Sequence, residues 1–248
     1  MLTLRRFLER LIDVVLPPRC LGCGVMVRRH GGYCPTCWGS LHWIHHPQCM
    51  MCGVPYPCDY GVSGCYRQTP QTCLGPLAAG RSVFVYNALS SKMILKLKYS
   101  DKTFMVNTFG DHLMQTIQSF PRPFTLILPV PLHWRRQWIR KYNQSSLLAH
   151  ALSRRCGVPV CHKGLKRIRS TKPLKGGSFK KRLAALSGAF ALNPKEKQTL
   201  MGQDILLIDD VWTTGATLQS CAEVLLKEGG AKSVSALTMA RVLPADLS

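Results

Sequence analysis

Acidic residues are scarce in this chain. Of 248 residues only 12 are Asp or Glu, against 33 Lys and Arg, and the formal net charge is +21. No acid lies between Asp111 and Glu196, yet that stretch holds 17 basic residues, among them Arg122, Arg135, Arg136, Arg140, Lys141, Arg154, Arg155 and Lys181. Solvated faces normally mix signs, so a one-signed stretch argues against a surface that merely aids solubility. It favours a groove or rim for nucleic acid or another phosphate-rich ligand. An enzyme of neutral metabolites gains nothing from such an excess, which makes a polyanion the first partner to consider.

Long apolar runs are also missing. Residues 1–16 are interrupted by Arg5, Arg6, Glu9, Arg10 and Asp13, which excludes the apolar core of a secretory signal. Nothing elsewhere longer than a short strand is continuously apolar, so no membrane span is expected and the protein is placed in the cytoplasm. Leu4, Phe7, Leu8, Leu11, Ile12, Val15 and Leu16 recur at helical spacing before Pro17-Pro18, predicting an amphipathic helix for docking onto the body of the protein, with a membrane surface as the alternative. Charged residues make up 18% and hydrophobic residues 46%, which excludes disorder as the default. There is no internal repeat, no low-complexity tract and no Gly-x-x-x-x-Gly-Lys-Ser/Thr pattern, so a P-loop nucleotide site is excluded.

Cysteine, by contrast, is plentiful. Nine of the 12 cysteines fall between residues 20 and 73. In a reducing compartment disulfides are disfavoured and metal sites are not. Cys20/Cys23, Cys34/Cys37 and Cys49/Cys52 are Cys-x-x-Cys pairs, a gap that lets both thiolates reach one ion from a tight turn. Gly24 and Gly53 follow two of these knuckles. Cys20, Cys23, Cys34 and Cys37 make a complete tetrahedral set for zinc. Cys49 and Cys52 are half of a second set, for which Cys65 with Cys73 is the preferred completion. Cys58 is a weaker candidate because it follows Cys52 across a stiff Pro-Tyr-Pro segment, and His30, His42, His45 and His46 are alternative ligands for either site. Closed cages of this kind fold and dock rather than catalyse. Cys156, Cys161 and Cys221 lie in apolar contexts and read as core residues.

From residue 80 onward the pattern changes. Strands are expected at 81–87, 125–130, 189–192, 204–208 and 233–241, and helices at 89–97, 104–117, 143–155 and 218–227. Strands alternating with helices predict an α/β fold with a parallel sheet and helices on both faces. The expected division is a zinc-binding domain over 1–78 and the α/β domain over 79–248.

One segment of that domain carries chemistry. The apolar strand at 204–208 delivers Asp209 and Asp210 to its carboxyl end, the edge at which open α/β sheets bind ligands. Thr213, Thr214, Gly215, Ala216 and Thr217 follow just before a helix, and such a turn offers N–H groups, hydroxyls and the helix dipole to a phosphate. The two carboxylates would repel that phosphate, so they must face another part of the ligand, such as ribose hydroxyls or a magnesium ion held on them.

This run resembles the phosphoribosyl-pyrophosphate (PRPP) loop of type I phosphoribosyltransferases. Taken with the zinc pairs, Leu97-Lys-Tyr99, Pro129-Val-Pro-Leu-His133, Arg135-Arg136 and Tyr142-Asn-Gln144, the chain resembles the ComF/GntX competence-protein family from residue 20 to 241. The resemblance implies a double zinc ribbon on a type I phosphoribosyltransferase-like fold. It also implies a part in DNA uptake where single-stranded DNA arrives, beside other DNA-uptake machinery at the cytoplasmic side of the inner membrane. It assigns Asp209 and Asp210 to the ribose hydroxyls and Thr213, Thr214, Gly215, Ala216 and Thr217 to the 5′-phosphate of PRPP or another phosphorylated ribose. Lys98, His133, Arg135 and Arg136 fall on the pyrophosphate side, and residues 169–181 in the place of a closing loop. Lys141, Leu174 and Ala185 depart from the family pattern, which weakens the pyrophosphate side and the lid more than the ribose-phosphate side.

Two functions follow. The first is a DNA-uptake protein that handles incoming single strands and retains a PRPP site, with Arg135, Arg136, Arg140 and Lys141 on the nucleic acid. There Trp134, Trp138 and Tyr142 interleave with the basic residues, a pattern that base stacking could use, although their spacing also suits a buried helical face. The alternative is a metabolic phosphoribosyltransferase that uses PRPP and magnesium on an unidentified acceptor, for which no nucleophile or general base can be assigned.

Overall fold

Residues 205–208 read Ile-Leu-Leu-Ile with no polar alternation, the pattern of a strand covered on both faces. The computed structural model, which describes residues 17–56, 74–99, 105–133, 142–169 and 184–243, places this run at the centre of a parallel sheet. In chain order the elements are α1 (Pro35–Ser40), β1 (Gly80–Val85), α2 (Ala88–Tyr99), α3 (Met105–Ile117), β2 (Leu126–Pro129) and α4 (Gln144–Cys156). They continue as β3 (Leu165–Arg167), β4 (Phe190–Leu192), a 3₁₀ turn (Pro194–Glu196), α5 (Lys197–Leu200), β5 (Asp204–Trp212), α6 (Ala216–Lys227) and β6 (Ser233–Arg241).

The sheet order is β1-β6-β5-β2 with every pairing parallel. Leu126 pairs with Ile205, Asp204 with Ser233 and Gly80 with Ala236. Because successive side chains point to opposite faces, the sheet separates two cores. Leu126, Leu128, Ile205, Leu207, Val234 and Ala236 pack with Leu218, Cys221, Ala222 and Leu225 of α6. Ile127, Leu206, Ile208, Leu237 and Met239 pack on the other face with Leu97 of α2, Phe109 and Leu113 of α3 and Leu148 and Leu152 of α4. Ile205 through Ile208 are all 0% exposed, so Leu206→Ala would cost about 2–5 kcal/mol.

Local signals explain the element ends. Asn143 caps α4 by accepting the Ser145 N–H at 3.1 Å, and Gly157 at φ +74° closes it in the left-handed region. The expected strand at 204–208 is longer than the sequence suggested. It runs to Trp212 because β6 continues the ladder beside it, pairing Asp209 with Thr238 and Trp212 with Arg241. The strand expected at 189–192 is β4, but its antiparallel partner β3 was not foreseen, since three residues carry too short a pattern to read. Cys161 and Cys221 are buried as expected, whereas Cys156 is half-buried.

The cysteine-rich segment is built into both cores. Leu21 and Leu41 join the α2–α4 side, and Cys49, Cys52 and Val54 join the α6 side. Between them, Ile44 N–H donates to Val83 O at 2.9 Å and Val85 N–H to His42 O at 2.8 Å, so this segment covers the free edge of β1. Tyr33 and Trp43 pack around the ring of His112 from α3, and Tyr33 Oη lies 3.2 Å from His112 Nε2. The expected helix at 1–16, the candidate ligands Cys58, Cys65 and Cys73, and the basic segment 134–141 lie outside the described residues.

Candidate functional site

Strand β2 ends at Pro129 opposite Ile208, so Asp209 and Asp210 project past it at the carboxyl edge of the sheet. Asp209 Oδ1 accepts from Ser145 Oγ at 3.0 Å and from the Asp210 N–H at 2.9 Å. Burial, reinforced by the charge of Asp210, pushes the Asp209 carboxyl up to about 7. Asp210 is held differently, by an ion pair with Lys98 Nζ at 2.7 Å.

Lys98 reaches this position because the end of α2 is tied to the start of α4. Tyr142 Oη donates to Leu97 O at 2.9 Å, Gln144 Nε2 donates to Lys98 O at 3.4 Å and Asn143 Nδ2 donates to Val130 O at 3.0 Å. Tyr142, Asn143 and Gln144 thus pin the ends of α2, β2 and α4 around the acid pair. Sequence reasoning saw the Tyr-Asn-Gln motif without its role, and it missed Ser145 altogether. A serine one position beyond the motif carries no signal until the fold sets it against Asp209.

Residues 213–217 follow β5 directly. Gly215 has φ +83°, and a Cβ there would lie 2.8 Å from Trp212 Nε1, so both the turn and the packing require glycine. Ala216 opens α6, whose first-turn N–H groups have no intrahelical acceptor and whose dipole favours an anion. Hydroxyls of Thr213, Thr214 and Thr217 stand in or beside this turn. The structure therefore gathers Lys98, Ser145, Asp209 and Asp210 at one edge with the 213–217 turn leading out of it. His133 is buried just beyond β2, whereas Arg135 and Arg136 lie outside the described residues.

The first cysteine set is a metal centre. The Sγ atoms of Cys20, Cys23, Cys34 and Cys37 all lie within 4.8 Å of one another. Cys34 N–H donates to Cys20 Sγ at 3.3 Å and Cys37 N–H to Cys34 Sγ at 3.4 Å, orienting the sulfurs as a zinc knuckle does. Burial disfavours ionisation of Cys20, but N–H groups of Cys34, Cys23 and Gly22 outweigh it and bring the thiol down to about 6. Lys96 donates to Leu21 O and Gly22 O, tying this knuckle to α2. The four sulfurs suffice without His30, His42, His45 or His46. In the second set, Cys49 and Cys52 are buried with Cys52 N–H on Cys49 Sγ at 3.5 Å.

Residues 11–74 match the double zinc ribbon domain family. The chain is 31% identical over 211 residues to competence protein ComFC of Bacillus subtilis, covering 84% of this chain and 83% of that one. The chain belongs to the ComF family of competence proteins. Competence protein F of Haemophilus influenzae is 29% identical, covering 85% of this chain and 92% of that one. The DNA utilization protein YhgH of Escherichia coli K12 is also 29% identical, covering 88% and 95%. Among solved structures, the glutamine PRPP amidotransferase of B. subtilis aligns with a TM-score of 0.38 and 17% identity, over 58% of this chain and 30% of that enzyme.

Eight of the 17 residues in the acid-free basic stretch are described. Arg122, Arg154, Lys163, Lys166, Arg169 and Lys195 are exposed. Arg155 is half-buried and already paired with an acid. Arg154 donates to Asn107 Oδ1 at 3.3 Å, and Arg155 pairs with Asp111 at 2.7 Å, so in this ComF-family chain they join α4 to α3. Among the described residues no helix is long and apolar enough to cross a membrane.

Proposed function

We propose that this ComF-family chain handles incoming single-stranded DNA in the cytoplasm, beside the DNA-uptake machinery, and retains a PRPP site on a phosphoribosyltransferase-like domain over 79–248. In this reading a zinc-ribbon domain over 1–78 precedes it, of which His42 and Ile44 bond the edge of β1. The arrangement that supports this reading is the Asp209–Asp210 pair at the end of β5, braced by Ser145 and Lys98 immediately before the 213–217 turn.

In this reading Asp209 and Asp210 accept hydrogen bonds from ribose hydroxyls, and Thr213, Thr214, Gly215, Ala216 and Thr217 take the 5′-phosphate. Lys98, His133, Arg135 and Arg136 face the pyrophosphate. Two adjacent carboxylates are hard oxygen donors of the kind magnesium accepts together with substrate phosphates, and the metal would neutralise pyrophosphate charge. The residues themselves contribute positioning and charge stabilisation, with no nucleophile among them.

The test is calorimetry of PRPP with magnesium. The double substitution Asp209→Asn and Asp210→Asn keeps shape and removes charge, and should weaken binding about 10-fold or more. Unchanged affinity would mean that these acids do not serve PRPP.

A further inference from the structure

Trp38 is a large aromatic side chain left 53% exposed on α1, one position after the zinc-site residue Cys37. Its ring is backed by Trp43 at 4.5 Å and by Tyr33 at 5.9 Å, and Trp43 packs in turn on Phe84 of β1 at 4.7 Å. A ring braced in this way is already ordered, so stacking against its open side costs little further freedom.

Trp38 lines a groove of about 840 Å³ between the first knuckle and α3. Arg28 and Arg29 line it too, both exposed and neither in an ion pair among the described residues. The facing wall comes from α3, and its acid, Asp111, is already paired with Arg155 at 2.7 Å. The groove therefore presents unspent positive charge, from two arginines that lie outside the acid-free stretch. Thr108 and Gln115 add polar groups to the α3 wall. Thr108 Oγ1 donates to Gly31 O at 3.1 Å, which leaves its own lone pairs open to a donor.

Exposed cations, a braced open ring and a polar wall together suit a single nucleic-acid strand. Phosphates meet the arginines, a base lies on the ring and the base edge meets the wall. A duplex keeps its base faces stacked inside and has no use for the ring. An acidic peptide would meet the arginines, but it would need an apolar anchor of its own to gain from Trp38, and the polar wall suits a base edge better.

We propose that the groove between the first zinc knuckle and α3 is a contact site for single-stranded nucleic acid, with Trp38 stacking a base and Arg28 and Arg29 on phosphates. The inference rests on reading the chain as a single-strand-handling protein, and it adds a surface apart from both the basic stretch and the PRPP site. The first cage then serves binding as well as folding. Cys34 caps α1 by accepting the Cys37 N–H, and Cys37 directly precedes the ring.

The test is titration of the full-length chain with a fluorescent mixed-sequence single strand at several salt concentrations. Trp38→Ala should weaken binding by about 5-fold or more, the loss expected for one stacked base, and Trp38→Phe, which keeps a ring, should recover part of it. Arg28→Gln with Arg29→Gln should flatten the salt dependence by roughly 0.7 for each arginine that touches phosphate. Zinc content and unfolding midpoint control for folding. On the wild-type chain, where no substitution disturbs the fold, irradiation of a bromodeoxyuridine-substituted strand should crosslink it within residues 26–38. A wild-type chain that binds no strand would remove the single-strand reading and this proposal together. Strand binding that is indifferent to Trp38, Arg28 and Arg29, with no crosslink in 26–38, would overturn the proposal and leave that reading standing. Duplex binding that depends on Trp38 as strongly, or displacement of the strand by polyglutamate at matched charge, would overturn it as well.

Discussion

Lys98 and Asp210 meet at 2.7 Å, the lysine from the last turn of α2 and the acid from the carboxyl end of β5. The lysine thus offsets one of two adjacent carboxylates at the edge where an anionic ligand is proposed to sit. Without it, both acids would repel phosphate groups.

Lys98→Met should therefore weaken PRPP binding about 10-fold, the value of one charge-assisted hydrogen bond. The fold should persist, because Leu97 O and Lys98 O keep their contacts with Tyr142 and Gln144. Calorimetry at fixed magnesium checks this, with the unfolding midpoint as control. Tighter PRPP binding in the variant would show that Lys98 competes with the ligand for Asp210.

One buried and one half-buried group should move stability with pH in opposite directions. His112, among Tyr33, Trp43 and Phe84, is pushed by burial down to about 4, with Asp111 partly opposing. Between its unfolded value near 6.5 and that folded value the unfolded chain binds more protons, so its stabilisation is lost as pH falls. Asp209 is pushed up to about 7 from 3.8, so the folded chain binds more protons in that window and stability falls as pH rises. Unfolding midpoints between pH 4 and 7 should thus climb more steeply with pH in Asp209→Asn than in wild type. In His112→Gln they should climb less. Parallel profiles for all three chains would contradict both assignments.

Gly215→Ala should destabilise the chain by about 1–3 kcal/mol, the cost of a non-glycine residue held in the left-handed region. The new methyl group also meets Trp212 Nε1 at 2.8 Å, so the turn must shift and PRPP affinity should fall with stability. Gly24 provides the control. It too has positive φ, but nothing lies within 4 Å of a Cβ there, so Gly24→Ala should carry the backbone cost alone and leave PRPP binding intact. Denaturant unfolding and calorimetry of the two variants separate these effects.

How much of this was legible in the sequence depends on the range of each interaction. The first zinc set could be read from spacing because its ligands are local, two knuckles within one short segment. The strand at β5 and the glycine turn were legible for the same reason, through an unbroken apolar run and a small-residue turn before a helix. Ser145 on Asp209 and Arg81 on the Met50 and Met51 carbonyls were not, since each joins residues 30 or more positions apart that only the fold brings together. The contacts of Arg154 and Arg155 were illegible for a related reason. Arg154 and Arg155 belong to an acid-free stretch by position, but Asp111 and Asn107 meet them from α3.

The basic stretch leads to the prediction that separates the two functions. If 122–195 carries a nucleic-acid surface, affinity for a mixed-sequence single strand should fall steeply with salt, each neutralised phosphate adding a slope of roughly 0.7 in log affinity against log salt. Neutralising Arg135, Arg136, Arg140 and Lys141 together should flatten that slope by about two to three units. Neutralising Arg155 should leave the slope nearly unchanged and lower stability instead, because that side chain is spent on Asp111 and on the Asn107 carbonyl of α3. Zinc content should stay constant throughout, as none of these residues touches the cysteine pairs in sequence. Strand binding that survives Asp209→Asn with Asp210→Asn, but not loss of the basic group, would place DNA and PRPP at separate sites. A chain that binds no single strand at low salt, yet consumes PRPP in the presence of a free nucleobase, would be a metabolic transferase, and the DNA-handling reading would fall.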